Sequence, residues 1–429
     1  MSKKYLIKNG MVIFPDSNIE ELMDILIVDK KIQLLGKNIE NSEATVVDAA
    51  GCYVVPGLID MHVHLREPGQ EYKEDIVTGT RAAAAGGFTS IACMPNTDPV
   101  VDSPEIVQFL MNKIKTSAKV KVYPIGAITK NLEGKQLSEM GLMFSSGAVA
   151  FSDDGKYVHN SEVMKNALLY SRTLGVPLIS HSEDPFLVED GEMNEGYYST
   201  ILGLKGIPAV AEEIAIARDI LLARYYGPVH IAHVSTKNAV EMIRKAKQEG
   251  VPITAETAPH YFWFTDEDVK TYNTNFKMKP PLRTKEDKDA LIEGLKDGTI
   301  DVIATDHAPH SIDEKLCEFR LAAFGIIGLE TALSATITKL YYENNLPLPL
   351  IFQKLTCNPA RILNLRSGTI IAGEYADITI IDINKVYTVS EKHFYSKSHN
   401  SPFLGIELKG KVVYTFVDGA MVFSKNKVH

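Results

Sequence analysis

Residues 52–66 read Cys52-Tyr53-Val54-Val55-Pro56-Gly57-Leu58-Ile59-Asp60-Met61-His62-Val63-His64-Leu65-Arg66. An apolar run, the mark of a buried strand, ends in two histidines spaced i, i+2. Along a strand, alternate side chains point to the same side, so both imidazoles can converge on one point. Two neutral imidazoles side by side make half of a zinc site. The remaining ligands have to come from elsewhere in the chain.

Working outward, apolar runs of strand length recur at 52–62, 88–94, 119–126, 147–152, 177–181, 229–234, 251–257 and 301–306. Helical patterns alternate with them at 74–86, 103–115, 133–141, 161–175, 208–226, 236–249, 285–297 and 327–343. Eight strand–helix units predict a (β/α)8 barrel over 56–366 rather than a doubly wound sheet. The flanks are rich in strands and turns instead. Residues 1–55 and 367–429 are expected to pair into one small β-sandwich domain built from both termini. Asn9-Gly10, Asp29-Lys30 and Asp418-Gly419 carry the turn chemistry of hairpins.

The polar residues fall at the ends of the predicted strands. His62 and His64 end the first, Asp153-Asp154 the fourth, His181 the fifth, His233 the sixth and Asp306 the eighth. Barrel enzymes build their sites on that face. Burying such groups without partners costs several kcal/mol, so five strands placing them on one rim points to a site. His230 faces differently from His233 and reads as structural, and His307 should point away from Asp306. His260 is a weaker candidate for the pocket, and His159, His393, His399 and His429 read as surface residues.

Composition narrows the partners. The net charge is -9, with 45% hydrophobic residues, which argues against nucleic acid and anionic membranes. The N-terminus lacks the apolar core of a signal peptide, and no run of about 20 apolar residues exists to span a bilayer. The four cysteines form no C-x-x-C pair. They read as reduced thiols, so a cytoplasmic protein is expected.

The His-x-His, His, His, Asp pattern resembles the amidohydrolase superfamily. Longer strings are similar to class I dihydroorotases: Asp60–Gly69, Met94-Pro95-Asn96-Thr97, Phe151–Gly155, Pro280-Pro281-Leu282-Arg283 and Ala304–His310. The resemblance spans nearly the whole chain. It implies a zinc-dependent cyclic amidohydrolase that interconverts L-dihydroorotate and N-carbamoyl-L-aspartate in pyrimidine biosynthesis. It further implies one or two zinc ions, two being expected, held by His62, His64, His181, His233 and Asp306. An aspartate bridges them, Asp154 being favoured over Asp153. A metal-bridging hydroxide would be the nucleophile and Asp306 the general acid/base. His64, Arg66, Asn96, Lys279, His310, Phe324 and Gly325 would contact substrate, with Arg66 gripping its carboxylate.

Many superfamily members bridge their metals with a carboxylated lysine at the end of strand four. Here that strand offers aspartates, and Lys156 lies beyond Gly155. Lys279 departs from the family, which reads Asn there. A homodimer and an association with aspartate transcarbamoylase are further expectations of the resemblance. The alternatives are a hydantoinase- or allantoinase-type enzyme and a non-catalytic scaffold for that transcarbamoylase.

Overall fold

A computed structural model describes residues 3–424 and 426–429. Eight parallel strands lie side by side in chain order: Leu58–Val63, Phe88–Cys93, Lys121–Gly126, Ala150–Ser152, Leu178–Ser180, Val229–Ile231, Ile253–Thr257 and Val302–Ile303. The first and eighth edges meet through a parallel bridge between Val63 and His307. There the His64 amide donates to the His307 carbonyl at 2.8 Å. The sheet is thereby closed into the expected α/β barrel.

Strand periodicity, interrupted in the first strand by a register shift between Asp60 and Val63, divides the apolar residues between two cores. Met61, Ala92, Ile125, Ala150, Ile179, Ala232 and Val302 fill the interior. Val63, Ile91, Val122, Phe151, Leu178, Ile231 and Ile303 face the surrounding helices. Among the described residues no helix is long and apolar enough to cross a membrane.

Several elements differ from the sequence-based expectation. The run 52–62 is two strands, because Tyr53–Pro56 leaves the barrel and joins the terminal sheet. The eighth strand shortens to Val302–Ile303, since the polar residues after it turn into the site. Helix 133–141 shrinks to a 3-10 turn at Lys130–Leu132 and a short helix at Met140–Ser145. Helix 327–343 begins only at Ala332 and continues as π-helix over Ile337–Glu343. Asn9-Gly10 makes no hairpin. Lys4–Phe14 is one strand whose register against Ile19–Val28 shifts between Ile7 and Gly10, a bulge that Asn9 enters at φ 61°. Asp29-Lys30 and Asp418-Gly419 do turn hairpins.

The two ends of the chain form one nine-stranded sheet. Tyr53–Pro56 is its middle strand, parallel to Lys4–Phe14 and antiparallel to Ile378–Thr388. Its core includes Ile7, Ile25, Ile27, Val54, Ile378, Ile380 and Phe416. Gly57 is the single residue between that strand and the first barrel strand. Its amide donates to Asp377 O at 2.9 Å. A Cβ there would lie 2.1 Å from Thr89 Oγ1 and 2.3 Å from Thr89 Cγ2, and Thr89 is fully buried. Gly57→Ala should therefore destabilise the fold by about 1–3 kcal/mol, the usual cost of overpacking. A denaturant midpoint equal to that of the parent chain would contradict this account of the junction.

Candidate active site

The expected ligands converge at the C-terminal rim. His62 is the penultimate residue of the first barrel strand, its side chain fully buried, and His64 lies just beyond the strand, their ring centroids 5.5 Å apart. Asp154 Oδ1 lies 3.3 Å from His62 Nε2, 3.4 Å from His181 Nδ1 and 3.6 Å from His233 Nε2. Its Oδ2 lies 3.4 Å from His64 Nε2. Asp306 Oδ1 is 3.1 Å from His64 Nε2 and 3.4 Å from His62 Nε2. His233 and Asp306 both hold positive φ, at 33° and 47°, which L-residues adopt at a cost.

Asp153, adjacent in sequence, does different work. Its Oδ1 accepts from the amides of Ile128 and Thr129 at 2.8 and 2.9 Å, and Thr129 Oγ1 donates to its Oδ2. Consecutive residues at a strand end face opposite sides, so only Asp154 faces the histidines.

The donor set fits divalent cations. Two groups, His62–Asp154–His233 and His62–His64–Asp306, each have ligand atoms within 4.8 Å of one another. His62 belongs to both. Its Nε2 is buried and makes no hydrogen bond among the described residues.

The electrostatics agree with this fit. Burial raises the pKa of Asp154, but charge on His62 and hydrogen bonds from His181 and His233 hold it well below the ordinary carboxylate value. Burial opposes protonation of His181, yet Asp154 and Glu183 push its pKa up to about 9. Burial likewise opposes charge on His62, and Asp154, Glu256 and Asp306 raise it well above the usual value. Carboxylates in a dry cluster thus draw positive charge onto the imidazoles, and a cation would take the place of those protons.

Every expected site residue except His62 lines one cavity of about 290 Å³ beside this cluster. Arg66 is buried, at φ 61°, with Nε donating to Pro309 O at 3.1 Å. It makes no ion pair with Glu67 or Glu71. Glu67 accepts from the Ile76 amide and pairs with Lys113, and Glu71 accepts from the Gly69 amide. Asn96 Oδ1 lies 2.8 Å from His64 Nδ1. His310 Nε2 lies 2.8 Å from Phe324 O and 3.2 Å from Arg66 Nη2. Burial, with Arg66, Lys73 and Lys315 nearby, pushes His310 down to about 3, so it is neutral. Gly325 has φ 129°, and a Cβ there would meet the Ala308 methyl at 2.7 Å. Lys279 Nζ pairs with buried Glu183 Oε2 at 3.3 Å. Lys156 is exposed.

His260 is buried outside the cavity lining, and burial lowers its pKa to about 4. His307 turns away from Asp306, its Nδ1 accepting from the Gly328 amide at 3.1 Å. His159, His393 and His399 are exposed.

Sequence reasoning passed over Glu256, whose Oε1 lies 2.6 Å from His62 Nδ1. It also passed over Asn400, which accepts from the His310 amide at 3.2 Å and donates to Ala308 O and Gly325 O, both at 3.1 Å. A charged residue inside the apolar strand Ile253–Thr257 was the available signal for Glu256. Asn400 offered none.

A dihydro-orotase-like family model matches residues 51–239. The chain is 54% identical over 418 residues to a dihydroorotase of Acetivibrio thermocellus, covering 97% of this chain and 98% of that one. It is 55% identical over 420 residues to a dihydroorotase of Citrifermentans bemidjiense, covering 97% and 99%.

The chain belongs to the dihydroorotase family.

The family's fold extends to other cyclic amidohydrolases. An L-hydantoinase (dihydropyrimidinase) from Arthrobacter aurescens superposes with a TM-score of 0.91 at 26% identity, covering 100% of this chain and 98% of that one. In a dihydroorotase-family chain with this cluster, cation uptake must displace protons from His62 and His181. Both carry raised pKa values, His181 about 9 and His62 well above its ordinary value, so apparent affinity should climb with pH through neutrality and beyond. Calorimetry in two buffers of different ionisation heat would read the proton release, and a pH-independent affinity would contradict it. Asp154→Asn should lose the cation, whereas Asp153→Asn should keep it and lower the unfolding midpoint.

Proposed function

We propose that this chain hydrolyses L-dihydroorotate reversibly to N-carbamoyl-L-aspartate, and in the cell closes that ring for pyrimidine synthesis. The observation that carries the reading is Arg66. It is a buried guanidinium held by a backbone carbonyl on the wall of the cavity, beside the carboxylate–imidazole cluster. Dihydroorotate carries an exocyclic carboxylate that such a fork can grip bidentately. Hydantoin and dihydrouracil carry none.

The donor set supports two cations sharing the region around His62 and Asp154, with His62 and His64 on one and His181 and His233 on the other. Its nitrogen-rich character favours zinc. A bound zinc supplies Lewis acidity, polarising a carbonyl and bringing the pKa of water near neutrality.

The chain's own residues do the rest. The Asp306 carboxylate, kept ionised by His62 and His64, takes a proton from the attacking water as the new C–O bond forms. It then gives that proton to the ring nitrogen as the C–N bond breaks. Arg66, with Asn96 and His310 beside it, holds the carboxylate so that the ring amide faces Asp306. The backbone at Phe324-Gly325 lies against the ring, and Lys279 offers a second cation to the carboxylate that ring opening creates.

A hydantoinase-type activity gains from the fold similarity to the Arthrobacter aurescens enzyme. Arg66 argues against it. So does an exposed Lys156 where those enzymes would need a bridging lysine in the site. The proposal includes a β-domain of 1–55 and 367–429 on a barrel of 56–366, a cytoplasmic location, self-association and association with an aspartate transcarbamoylase. Sedimentation of the chain alone and mixed with that enzyme reads the last two.

The zinc-loaded protein should turn over L-dihydroorotate and leave hydantoin, dihydrouracil and allantoin largely untouched. The opposite preference would sink the proposal. Asp306→Ala should reduce kcat by at least about 10²-fold, the scale of general acid/base catalysis. Arg66→Met should raise KM for dihydroorotate by about 10²-fold, since loss of a buried charged hydrogen bond costs 2–5 kcal/mol. Its effect on any residual turnover of an uncharged ring should be far smaller.

A further inference from the structure

Behind the cavity runs a buried polar chain that the proposed reaction does not use. His62 Nδ1–H donates to Glu256 Oε1 at 2.6 Å. Glu256 Oε2 is 3.2 Å from His230 Nε2, and His230 Nδ1 is 2.8 Å from Thr254 Oγ1. Register explains the arrangement. His230 on the sixth barrel strand is the direct partner of Thr254 on the seventh, and Glu256 is two residues further along the seventh, on the same face. All of these side chains except that of Thr254 are at least 99% buried.

A carboxylate in the barrel interior needs a reason. Well-packed apolar residues would stabilise the same space as well or better. Glu256 does not line the cavity, and among the described residues its side chain hydrogen-bonds to His62 and His230. What it does is determine which nitrogen of His62 carries the proton. With Nδ1–H held by the carboxylate, Nε2 is the nitrogen that faces Asp154 and Asp306, 3.3 and 3.4 Å away, and the one whose lone pair a cation between them would use. His62 is the residue common to both candidate cation groups, and its one free nitrogen can serve a single cation, so its tautomer and orientation bear directly on that one. His230 occupies the other carboxylate oxygen and keeps Glu256 turned towards His62. Thr254 in turn sets the His230 tautomer by donating its hydroxyl to Nδ1.

We propose that Glu256, buttressed by His230 and Thr254, is the positioning residue of the cation site, locking His62 as the Nδ1–H tautomer and strengthening Nε2 as a ligand. The inference rests on the reading of the rim cluster as a cation site. A carboxylate behind a ligating imidazole is worth about 10–100-fold in metal affinity.

Glu256→Gln tests it with little disturbance of packing. The amide oxygen can still accept from His62. The amide NH2 can donate to His230 Nε2 once His230 changes tautomer and donates its Nδ1–H to Thr254. Every hydrogen bond survives and only the negative charge is lost. Competition against a chromophoric chelator, without substrate, should show zinc binding 10–100-fold weaker than in the parent chain, with an unchanged unfolding midpoint for the metal-free protein. His230→Gln, which can still bridge Thr254 and Glu256, should bind zinc within about threefold of the parent. His230→Leu should weaken it as Glu256→Gln does.

Folded Glu256→Gln protein with parental zinc affinity would overturn the claim that the Glu256 charge strengthens His62 Nε2 as a ligand. His230→Gln and His230→Leu proteins of equal affinity would overturn the buttressing by His230. If the parent chain itself fails to retain zinc, the cation-site reading falls with it, an outcome distinct from the first two.

Discussion

Four largely buried imidazoles crowd one buried carboxylate, and the rest of the molecule is arranged to permit it. Asp154 lies within 3.6 Å of nitrogens from His62, His64, His181 and His233. Those residues come from four strands that are far apart in sequence. Such groups repel or desolvate one another unless a cation or shared protons hold them together. A closed parallel barrel can hold them, because each strand contributes one or two side chains to a common rim and the hydrogen-bonded wall prevents the rim from opening.

Closure is therefore part of the chemistry. Asp60 sits one turn of the pleat behind His62. Its carboxylate accepts from the His62 amide and from the amide and hydroxyl of Thr305, tying the first strand to the eighth. The His64 amide adds a bond to the His307 carbonyl. These links set the spacing between the His62–His64 pair and Asp306. Burial raises Asp60 to about 7 despite those hydrogen bonds, so the staple is held at an electrostatic cost.

The opposite wall is built differently. Phe324 and Gly325 lie in an irregular segment held by two buried lysines and an amide. Lys315 Nζ donates to Ala323 O and Gly325 O, at 2.9 and 3.0 Å, and Lys277 Nζ donates to Phe319 O and Arg320 O, at 2.8 and 2.9 Å. Asn400 reaches in from the C-terminal region to the same segment. The terminal part of the chain thus helps to shape the wall of the cavity at His310 and Gly325, beyond covering the barrel.

Much of this was legible in the residues alone. Strand-length apolar runs alternating with helical patterns point to a parallel α/β fold, because such strands are buried on both faces, and the count of eight strand–helix units favours the barrel over a doubly wound sheet. Polar residues at the ends of those runs mark the rim, and Arg66, two residues past His64, lies on the wall of the cavity beside it. Other features required the folded chain. Whether Asp153 or Asp154 faces the histidines depends on which side of a strand end each projects. The Asn9-Gly10 bulge and the division of 52–62 between two sheets depend on which strands pair, and local propensity does not encode pairing partners. Glu256 and Asn400 act on residues far away in sequence, 194 positions for Glu256–His62 and 90 for Asn400–His310. Hydrogen bonds of that range exist only once the barrel has closed, so tertiary structure alone could decide them.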